Sequence, residues 1–361
     1  MSLPPILQKF ANKNCRDYFE NQAPSICSVS CAHYNGFINL SDKSHLDRVF
    51  IAESDKRVKS FIFEALFLKC LKNQGLISTG WLYIDYSIGN YAFKLIDERS
   101  PISSVDLIIE EQFKKLGFSV TYVKYGASTN NFSASTCHDG VYSDFFDFMQ
   151  NTYNVGAKVT PSNAKASKPS KSTVGKLSCF LTQEELRTIA ISRLFINAYC
   201  IPIFEYPPID IDAFLLIEEE LFIVEFKRKY PAKEKVFGCD KHIYRMVNRI
   251  KKSNISFLHI ILTTPNWDKN YDQIELLEQK NAYIFKESLW LAITLNPSSF
   301  AGHLHTQGED SGMQKGKRTQ YQVDVDEFSI IGEGYCFNIM KLNNSNDIPT
   351  YSTLEDKRIK T

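Results

Sequence analysis

Residues 207–229, PPIDIDAFLLIEEELFIVEFKRK, constrain the fold of this chain more than any other stretch. Two apolar runs with a period of two lie on either side of three consecutive acidic residues, Glu218 to Glu220. Successive side chains of a strand point to opposite faces, and a strand that is apolar on both faces belongs inside a covered sheet. The stretch therefore predicts a hairpin of two strands in the centre of a covered sheet.

The length of the turn decides which residues of this hairpin face each other. With a loop of two or four residues at the acidic run, Asp212 lies directly opposite Glu225, and Asp210 lies opposite Lys227. Directly opposed residues have Cβ atoms about 4.5–5.5 Å apart, whereas a loop of odd length would turn Asp212 to the wrong face. Glu225 and Lys227 share a face, so the sequence predicts a cluster of two acids and a lysine.

Two carboxylates this close repel each other unless a cation lies between them. Their hard oxygen donors suit Mg²⁺, with Mn²⁺ as a candidate substitute. Lys227 on the same face could orient or deprotonate a water, or hold a phosphate. Asp212, Glu225 and Lys227 are therefore the candidate catalytic residues for metal-assisted phosphodiester hydrolysis, with Asp212 and Glu225 as metal ligands. The alternative is an ordinary charged cluster on a sheet, since this loose pattern also arises by chance.

The flanks of the motif resemble the PD-(D/E)XK nuclease superfamily, whose members share the restriction-endonuclease-like fold, over roughly residues 180–290. The family core is a helix, a three-stranded meander, a helix and a strand. The chain offers the same order as LTQEELRTIAISRLFINAYC, IPIFEY, the motif hairpin, GCDKHIYRMVNRIKKS and SFLHIILTT, followed by a helix NYDQIELLEQK and a strand AYIF. The resemblance implies that Lys227 is the catalytic lysine and that the backbone carbonyl of Phe226 joins the metal ligands. The chain departs from the family pattern in having no proline directly before Asp212.

The first helix of that family often directs an acid toward the metal, which makes Glu185 a further candidate ligand, beside Glu184. Thr182-x-x-Glu185 also has the pattern of a capping box. The sequence favours the cap as the role of Glu185.

The length of 361 residues favours two domains, and the composition is that of a globular protein. We predict an α/β (α+β) fold with a restriction-endonuclease-like central mixed sheet flanked by helices and a separate N-terminal α+β domain. The predicted parts are an N-terminal accessory domain (1–154), a basic flexible linker (155–178), the nuclease domain (179–342) and a tail (343–361).

The N-terminal part has its own helix and strand signals. The sequence predicts helices in 42–76 and in SSVDLIIEEQFKKLGF, a hairpin in GWLYIDYSIGNYAFKLID and a strand in SVTYVKYG. Asp85, Ala92 and Lys94 of that hairpin faintly echo the later motif, with Ala92 where a second acid would be needed. A winged-helix module and a decayed nuclease-like module both remain open for this part.

Basic residues follow the motif directly. The net charge is only +1, so attraction to nucleic acid has to come from local patches, and residues 227–252 contain ten Lys or Arg against two acids. We predict phosphate contacts by Lys229 and by one helix face made of Lys241, Arg245, Arg249 and Lys252. The alternative is a solvated helix face.

The cysteines and the N-terminal sequence indicate the cellular compartment of the protein. Cys27, Cys31 and His33 form a close group without a fourth ligand, so free thiols are favoured over a zinc site. Nine cysteines in a long chain, with no signal-peptide pattern and no apolar run of membrane-spanning length, predict a cytoplasmic protein without a membrane partner. His303 and His305, before a polar segment, predict a loop.

Together these features predict a Mg²⁺-dependent endonuclease, and the resemblance implies double-stranded DNA as its substrate. The need to cut two strands predicts a homodimer, and the resemblance implies a restriction or defence role. A transposase-subunit-type or junction-resolvase-type nuclease of the same fold is one alternative. A nucleic-acid-binding module that does not cut is another, against which the intact Asp212, Glu225 and Lys227 argue.

Overall fold

The structure is a computed structural model. It describes residues 43–86, 89–97, 101–126, 131–156, 171–205, 207–230, 235–264, 286–307 and 317–342, together with Leu40, Thr129 and Leu354. The group of Cys27, Cys31 and His33, the predicted helix NYDQIELLEQK and the predicted strand AYIF lie outside these residues.

The α-helices of the described residues are α1 (Lys43–Ala52), α2 (Asp55–Leu71), α3 (Ser104–Lys115), α4 (Phe145–Tyr153), α5 (Lys171–Phe180), α6 (Gln183–Leu194) and α7 (Lys241–Ile250). Helix α6 continues without a break through a π-helical turn, Phe195–Cys200, and a last turn, Ile201–Phe204. Short 3₁₀ turns cover Pro297–Ser299, Val325–Glu327 and Ile339–Lys341.

The strands are β1 (Leu76–Ser78), β2 (Trp81–Tyr86), β3 (Gly89–Ile96), β4 (Ser119–Gly126), β5 (Asn131–Ser135), β6 (Ser143–Asp144), β7 (Ile209–Ile211), β8 (Ala213–Ile217), β9 (Glu220–Arg228), β10 (Val236–Asp240), β11 (Ile255–Thr263), β12 (Leu289–Leu295), β13 (Gly302–Gln307), β14 (Lys317–Asp324), β15 (Ser329–Glu333) and β16 (Cys336–Phe337). The predicted α/β class is confirmed at this level.

The strands form a seven-stranded sheet of order β1-β8-β9-β11-β12-β15-β16, a six-stranded sheet of order β6-β5-β4-β3-β2-β7, and a small sheet of order β10-β14-β13. The two large sheets are mixed: β9 and β11 are parallel in one, and β3 and β4 are parallel in the other. A helix connects each parallel pair, α7 in the first case and α3 in the second.

The two large sheets exchange their edge strands. Strand β1 lies in the predicted N-terminal part but pairs with β8, and β7 lies in the predicted nuclease part but pairs with β2. The chain passes from one sheet to the other between β7 and β8, at Asp212. The division into 1–154 and 179–342 stays a prediction, and the described sheets cross it in both directions.

Each large sheet has its own helix on one face. Helix α2 packs on the seven-stranded sheet, where Phe67 stacks on Phe226 with ring centroids 4.8 Å apart. Helix α6 packs on the six-stranded sheet, where Phe195 contacts Phe93 at 5.7 Å. A third apolar cluster joins α3 and α7 to residues of both sheets, so the two sheets share a core.

The predicted strand IPIFEY is wrong, because Ile201–Phe204 is the last turn of the helix. Branched residues around Pro202 favour a strand by propensity. Pro202 lacks the N–H that a regular helix would use, and the π-helical turn directly before it accommodates that loss. Burial of Ile203 and Phe204 against the six-stranded sheet then decides in favour of the helix.

Three further predictions change in detail. The linker predicted over 155–178 is helical from Lys171 onward. His303 and His305 lie in strand β13, paired with β14, and not in a loop. Leu354 of the predicted tail is 2 % exposed and belongs to the shared core.

Among the described helices, Gln183–Phe204 is long and apolar enough to cross a membrane by length and composition alone. It packs against aromatic residues of β3 and β5, as the core helix of a folded domain does. The cysteines of the described residues, at positions 70, 137, 179, 200, 239 and 336, are free thiols.

Candidate active site

The hairpin of β8 and β9 has the predicted register. Ile217 pairs with Glu220 across a two-residue turn, and Ala213 pairs with Val224 at the other end. Glu218 adopts a positive φ of 55° in this turn, as tight two-residue hairpin turns require. Asp212, the residue before β8, therefore comes to the position opposite Glu225, as the sequence predicts.

Direct contacts bring the three predicted catalytic residues together. The backbone N–H of Phe226 donates to Asp212 Oδ2 over 2.6 Å, which ties the aspartate to β9 beside Glu225. Lys227 Nζ lies 2.6 Å from Glu225 Oε1. Glu225 is 5 % exposed, whereas the side chain of Lys227 is 31 % exposed. The site is thus an acid pair, with Glu225 buried and Asp212 half-buried, beside a lysine that reaches solvent.

The charges of the site shift one another's pKa values. Burial, together with the charge of Glu225, raises the pKa of Asp212 well above its usual range, although Lys227 opposes this shift. Burial alone would raise the pKa of Glu225, but Lys227 and His242 outweigh burial and bring that pKa below its usual range. Burial would lower the pKa of Lys227, but Glu225 and Asp212 raise it. Lys227 is therefore an ammonium, fit to hold an anion and not to remove a proton from water.

Two residues that the sequence analysis left out of the site lie at it. His242, in the first turn of α7, places Nε2 3.8 Å from Glu225 Oε1. Glu64, on α2, adds negative charge near Asp212 and is 3.8 Å from Arg57. A signal for Glu64 exists in the sequence, since it is the one charged residue in the apolar run FIFEALFL. No local sequence pattern links α2 to the motif. The strand that follows α2, β1, pairs with β8 of the motif hairpin, but the strands of the six-stranded sheet lie between them in the sequence.

Glu185 is not part of this cluster. Its carboxylate accepts from the Thr182 backbone N–H over 2.8 Å, and its backbone N–H donates to Thr182 Oγ1 over 3.2 Å. Lys69 Nζ lies 3.0 Å from its other oxygen. The capping role of Glu185 is confirmed. Its carboxylate, the group that would bind a metal, is already bonded to Thr182 and Lys69.

Asp210 does not lie opposite Lys227, and that part of the predicted register is wrong. The hairpin pairing ends at Ala213, and Asp210 pairs instead with Leu82 of the six-stranded sheet. Its carboxylate lies 3.6 Å from Arg57. Burial raises the pKa of Asp210 to about 6, against the opposing charge of Arg57.

The predicted basic surface divides into two groups. Lys241, Arg245 and Lys252 are exposed and available to an anion. Lys229 donates through Nζ to the carbonyl of Gly238. Arg249 is engaged inside the protein, as the next contacts show.

Arg249 links α7 to the six-stranded sheet. Its guanidinium lies 2.8 Å from Asp85 Oδ1, donates to Asn90 Oδ1 and to the Leu116 carbonyl over 3.3 Å each, and stacks 4.2 Å over Phe118. Its charge is therefore already balanced. Arg249 and Lys229 are thus both engaged within the protein, and phosphate contact stays a prediction for the exposed Lys241, Arg245 and Lys252.

The donor chemistry of the site fits the predicted metal. In the described part of the chain, no group of three or more His, Cys, Asp or Glu side chains stands ready to hold a metal ion. Asp212 and Glu225 still provide two hard oxygen donors, and the repulsion from Glu225, which adds to burial in raising the pKa of Asp212, is an interaction that a divalent cation relieves. The residues thus suit Mg²⁺ or Mn²⁺ with further oxygen ligands from water and substrate.

The fold and this cluster define a mixed α/β protein with an acid pair and a lysine at the end of a central hairpin. No protein-family model, no curated protein and no solved structure matches the chain. The function is therefore inferred from the residues of the site.

Proposed function

We propose that the protein is a metal-dependent endonuclease of the PD-(D/E)XK type that hydrolyses phosphodiester bonds of double-stranded DNA. The observation that carries this proposal is the meeting of Asp212, Glu225 and Lys227 at one end of a central hairpin. Two acids on adjacent strands, tied together by a backbone N–H and faced by a lysine, are what metal-assisted phosphodiester hydrolysis requires.

The order of elements supports the proposal. Helix α2, strands β1, β8 and β9, helix α7 and the parallel strand β11 follow one another as a helix, a three-stranded antiparallel meander, a helix and a strand. This is the order of the family core, with α2 and β1 in the places that the sequence analysis gave to LTQEELRTIAISRLFINAYC and IPIFEY. The segment from β2 to β7 is then an insertion between the first two strands of the meander.

Each residue of the site has a role in hydrolysis. Asp212, Glu225 and the carbonyl of Phe226 would hold Mg²⁺ or Mn²⁺, which polarises the phosphate when bound. Lys227, kept charged by the two acids, binds a non-bridging phosphate oxygen. His242 and Lys227 keep Glu225 ionised. In the reaction, a water oxygen bonds to phosphorus, the phosphorus–oxygen bond to one sugar breaks, and a proton of the water ends on that sugar oxygen.

Exposed basic residues support a nucleic acid as the substrate. Lys241 and Arg245 lie on the helix whose first turn carries His242, and Lys252 follows the end of that helix, so the basic surface begins beside the acid pair. Such residues bind phosphates of any sequence. A cytoplasmic location and a restriction or defence role, which the resemblance implies, are part of the proposal.

The test is a digest of plasmid DNA and of RNA with and without Mg²⁺, with wild type and the variant Lys227→Met. We expect cutting of DNA that needs the metal and falls about 10²–10³-fold in the variant, the usual cost of removing one group that stabilises developing negative charge. Lys72→Met removes an exposed lysine away from the acid pair and serves as the matched control.

Two outcomes contradict the proposal. Cutting by Lys227→Met at the wild-type rate in Mg²⁺ would detach nuclease activity from this site. Retained DNA binding without any cutting by the wild type, across Mg²⁺ and Mn²⁺, would favour the non-cleaving binding module.

A further inference from the structure

The two large sheets share one architecture over six strands, and β16 of the seven-stranded sheet has no counterpart. In the seven-stranded sheet a hairpin (β8, β9) leads through helix α7 to a parallel strand (β11) and two antiparallel strands (β12, β15). In the six-stranded sheet a hairpin (β2, β3) leads through helix α3 to a parallel strand (β4) and two antiparallel strands (β5, β6). The agreement covers five successive strands, one crossover helix and the direction of every pairing.

The agreement extends to the helix and the short strand that lie beside each hairpin at the edge of its sheet. A helix and a short strand complete each sheet at its edge: α2 and β1 for the seven-stranded sheet, α6 and β7 for the six-stranded sheet. Each helix–strand unit lies in the chain directly before the hairpin of the other sheet. The two halves thus exchange equivalent units reciprocally, as the partners of a symmetric dimer do.

The hairpins can be matched residue by residue, because in both the first paired positions are separated by two residues of chain. Tyr86 pairs with Gly89, as Ile217 pairs with Glu220. Counting from the turns, the pair Leu82 and Phe93 corresponds to Ala213 and Val224. The next positions are Trp81 and Lys94 in one hairpin, and Asp212 and Glu225 in the other.

At these positions the six-stranded half carries a closed ion pair. Lys94 Nζ lies 2.8 Å from Asp106 Oδ1, donates to the Thr79 carbonyl over 2.6 Å, and donates to Ser78 Oγ over 3.1 Å. Trp81 Nε1 donates to the same carboxylate oxygen over 3.0 Å. Lys94 is 7 % exposed, Asp106 3 % and Trp81 fully buried.

This pair cannot do the chemistry of the acid pair. The ammonium of Lys94 supplies the positive charge that a metal supplies between carboxylates, and the indole of Trp81 fills the space beside it. Neither Asp212 nor Glu225 has an acidic counterpart in the hairpin of β2 and β3, and the burial of Trp81 and Lys94 excludes water from these positions. Ala92, the position predicted to lack the second acid, lies two residues before Lys94 and pairs with Tyr83, so it corresponds to Ile223 and not to Glu225.

We propose that the chain is an internal pseudodimer with one reactive centre, and that it cuts one strand of a duplex in each binding event. This inference rests on the proposed nuclease function. A hydrolytic centre consumes one water and breaks one phosphodiester bond at a time. A homodimer of ordinary nucleases places a second centre on the opposite strand, whereas here the half in the corresponding position holds Lys94 and Asp106.

Supercoiled plasmid in Mg²⁺, at protein concentrations below and above that of the DNA, tests the inference. We expect all supercoiled DNA to become open circle before linear DNA appears, at a rate proportional to protein concentration. A short duplex bound without Mg²⁺ by the slow-cutting variant Lys227→Met, sized by light scattering, should carry one chain.

The failures are distinguishable. Linear DNA as the first product, at a rate that rises with the square of protein concentration, would overturn the inference and support the homodimer while leaving the nuclease function intact. Two Lys227→Met chains bound on one minimal duplex would also overturn it. No cutting of either plasmid form would remove the proposed function, and with it the inference that depends on it.

Discussion

Replacing Lys94 with Met tests the interior of the six-stranded half. The change keeps most of the side-chain volume and removes the ammonium that faces Asp106 at 2.8 Å. The Asp106 carboxylate keeps its hydrogen bonds from Trp81, Ser78 and the Ser103 backbone N–H, the last over 2.8 Å. The loss is therefore that of one buried charge partner, with the other donors left in place.

The pKa of Asp106 gives the size of this loss. Burial would raise that pKa, but Lys94, Ser78 and Ser103 outweigh burial and lower it from 3.8 to about 2. A shift of roughly two units corresponds to about 2–3 kcal/mol of folding free energy. Breaking a buried ion pair costs about 3–5 kcal/mol when no donor remains. With the remaining donors, we expect Lys94→Met to lower the free energy of unfolding at pH 7 by about 2–4 kcal/mol.

The pH dependence of this contribution has a definite sign. Because the pKa of Asp106 is lowered in the folded state, its contribution to stability is present above pH 3.8 and is lost as the pH falls toward about 2. In Lys94→Met much of this acid-dependent contribution should be absent. The wild-type and variant stabilities should therefore converge as the pH falls through this range.

Urea unfolding followed by circular dichroism at pH 7 measures the effect. Lys115→Met is the matched control: Lys115 lies 2.7 Å from Glu111 in a pair whose side chains are 60 % and 64 % exposed, so the cost should be below about 1 kcal/mol. Adding Asp106→Asn to Lys94→Met should restore part of the loss, because no unpaired charge then remains buried. A loss of less than about 1 kcal/mol in Lys94→Met would refute the reasoning.

Three further predictions concern the site and its surroundings. Asp210→Asn should keep measurable DNA cutting while Asp212→Asn loses both cutting and Mn²⁺ binding measured by calorimetry; the reverse pattern would mean that the hairpin register does not govern the site. Glu185→Ala should lower the free energy of unfolding by about 1 kcal/mol, because the capping box is lost, without changing the cutting rate per folded molecule. A lower cutting rate at unchanged stability would mean that Glu185 is a metal ligand. Lys252→Met should reduce the slope of the logarithm of the DNA-binding constant against the logarithm of the salt concentration by about one unit, at unchanged stability. Arg249→Met should leave this slope unchanged and lower the free energy of unfolding by about 1–2 kcal/mol. Equal slopes for wild type and Lys252→Met would mean that this basic surface is only solvated.

Local patterns predicted the hairpin at the centre of the site. The period of two, the acidic turn and the even loop fixed the register that places Asp212 opposite Glu225, since one residue of slip would have turned every side chain over. The Thr182–Glu185 cap was predicted in the same way, because a capping box involves only four neighbouring residues.

Contacts between distant segments could not be predicted from such patterns. Glu64 reaches the site because β1 joins the motif sheet, although the whole six-stranded sheet separates the two in sequence. Ile201–Phe204 has the propensity of a strand, but burial against the six-stranded sheet outweighs propensity. Arg249 has the spacing of a surface residue, and only the neighbouring sheet turns it inward to Asp85.

The exchange of β1 and β7 means that neither half is complete in a contiguous piece of chain. A fragment beginning near residue 179 would carry the acid pair but lack α2 and β1, leaving an unpaired edge at β8 and the apolar face of Phe226 uncovered. A fragment ending near residue 154 would in turn lack α6 and β7. During synthesis on the ribosome, neither sheet can therefore be completed until later parts of the chain have been made. Folding of either half depends on contacts between residues that are far apart in sequence, and such contacts slow folding. Cutting activity should thus be absent from either fragment alone, and fragments of the two halves should restore it only when they are produced together.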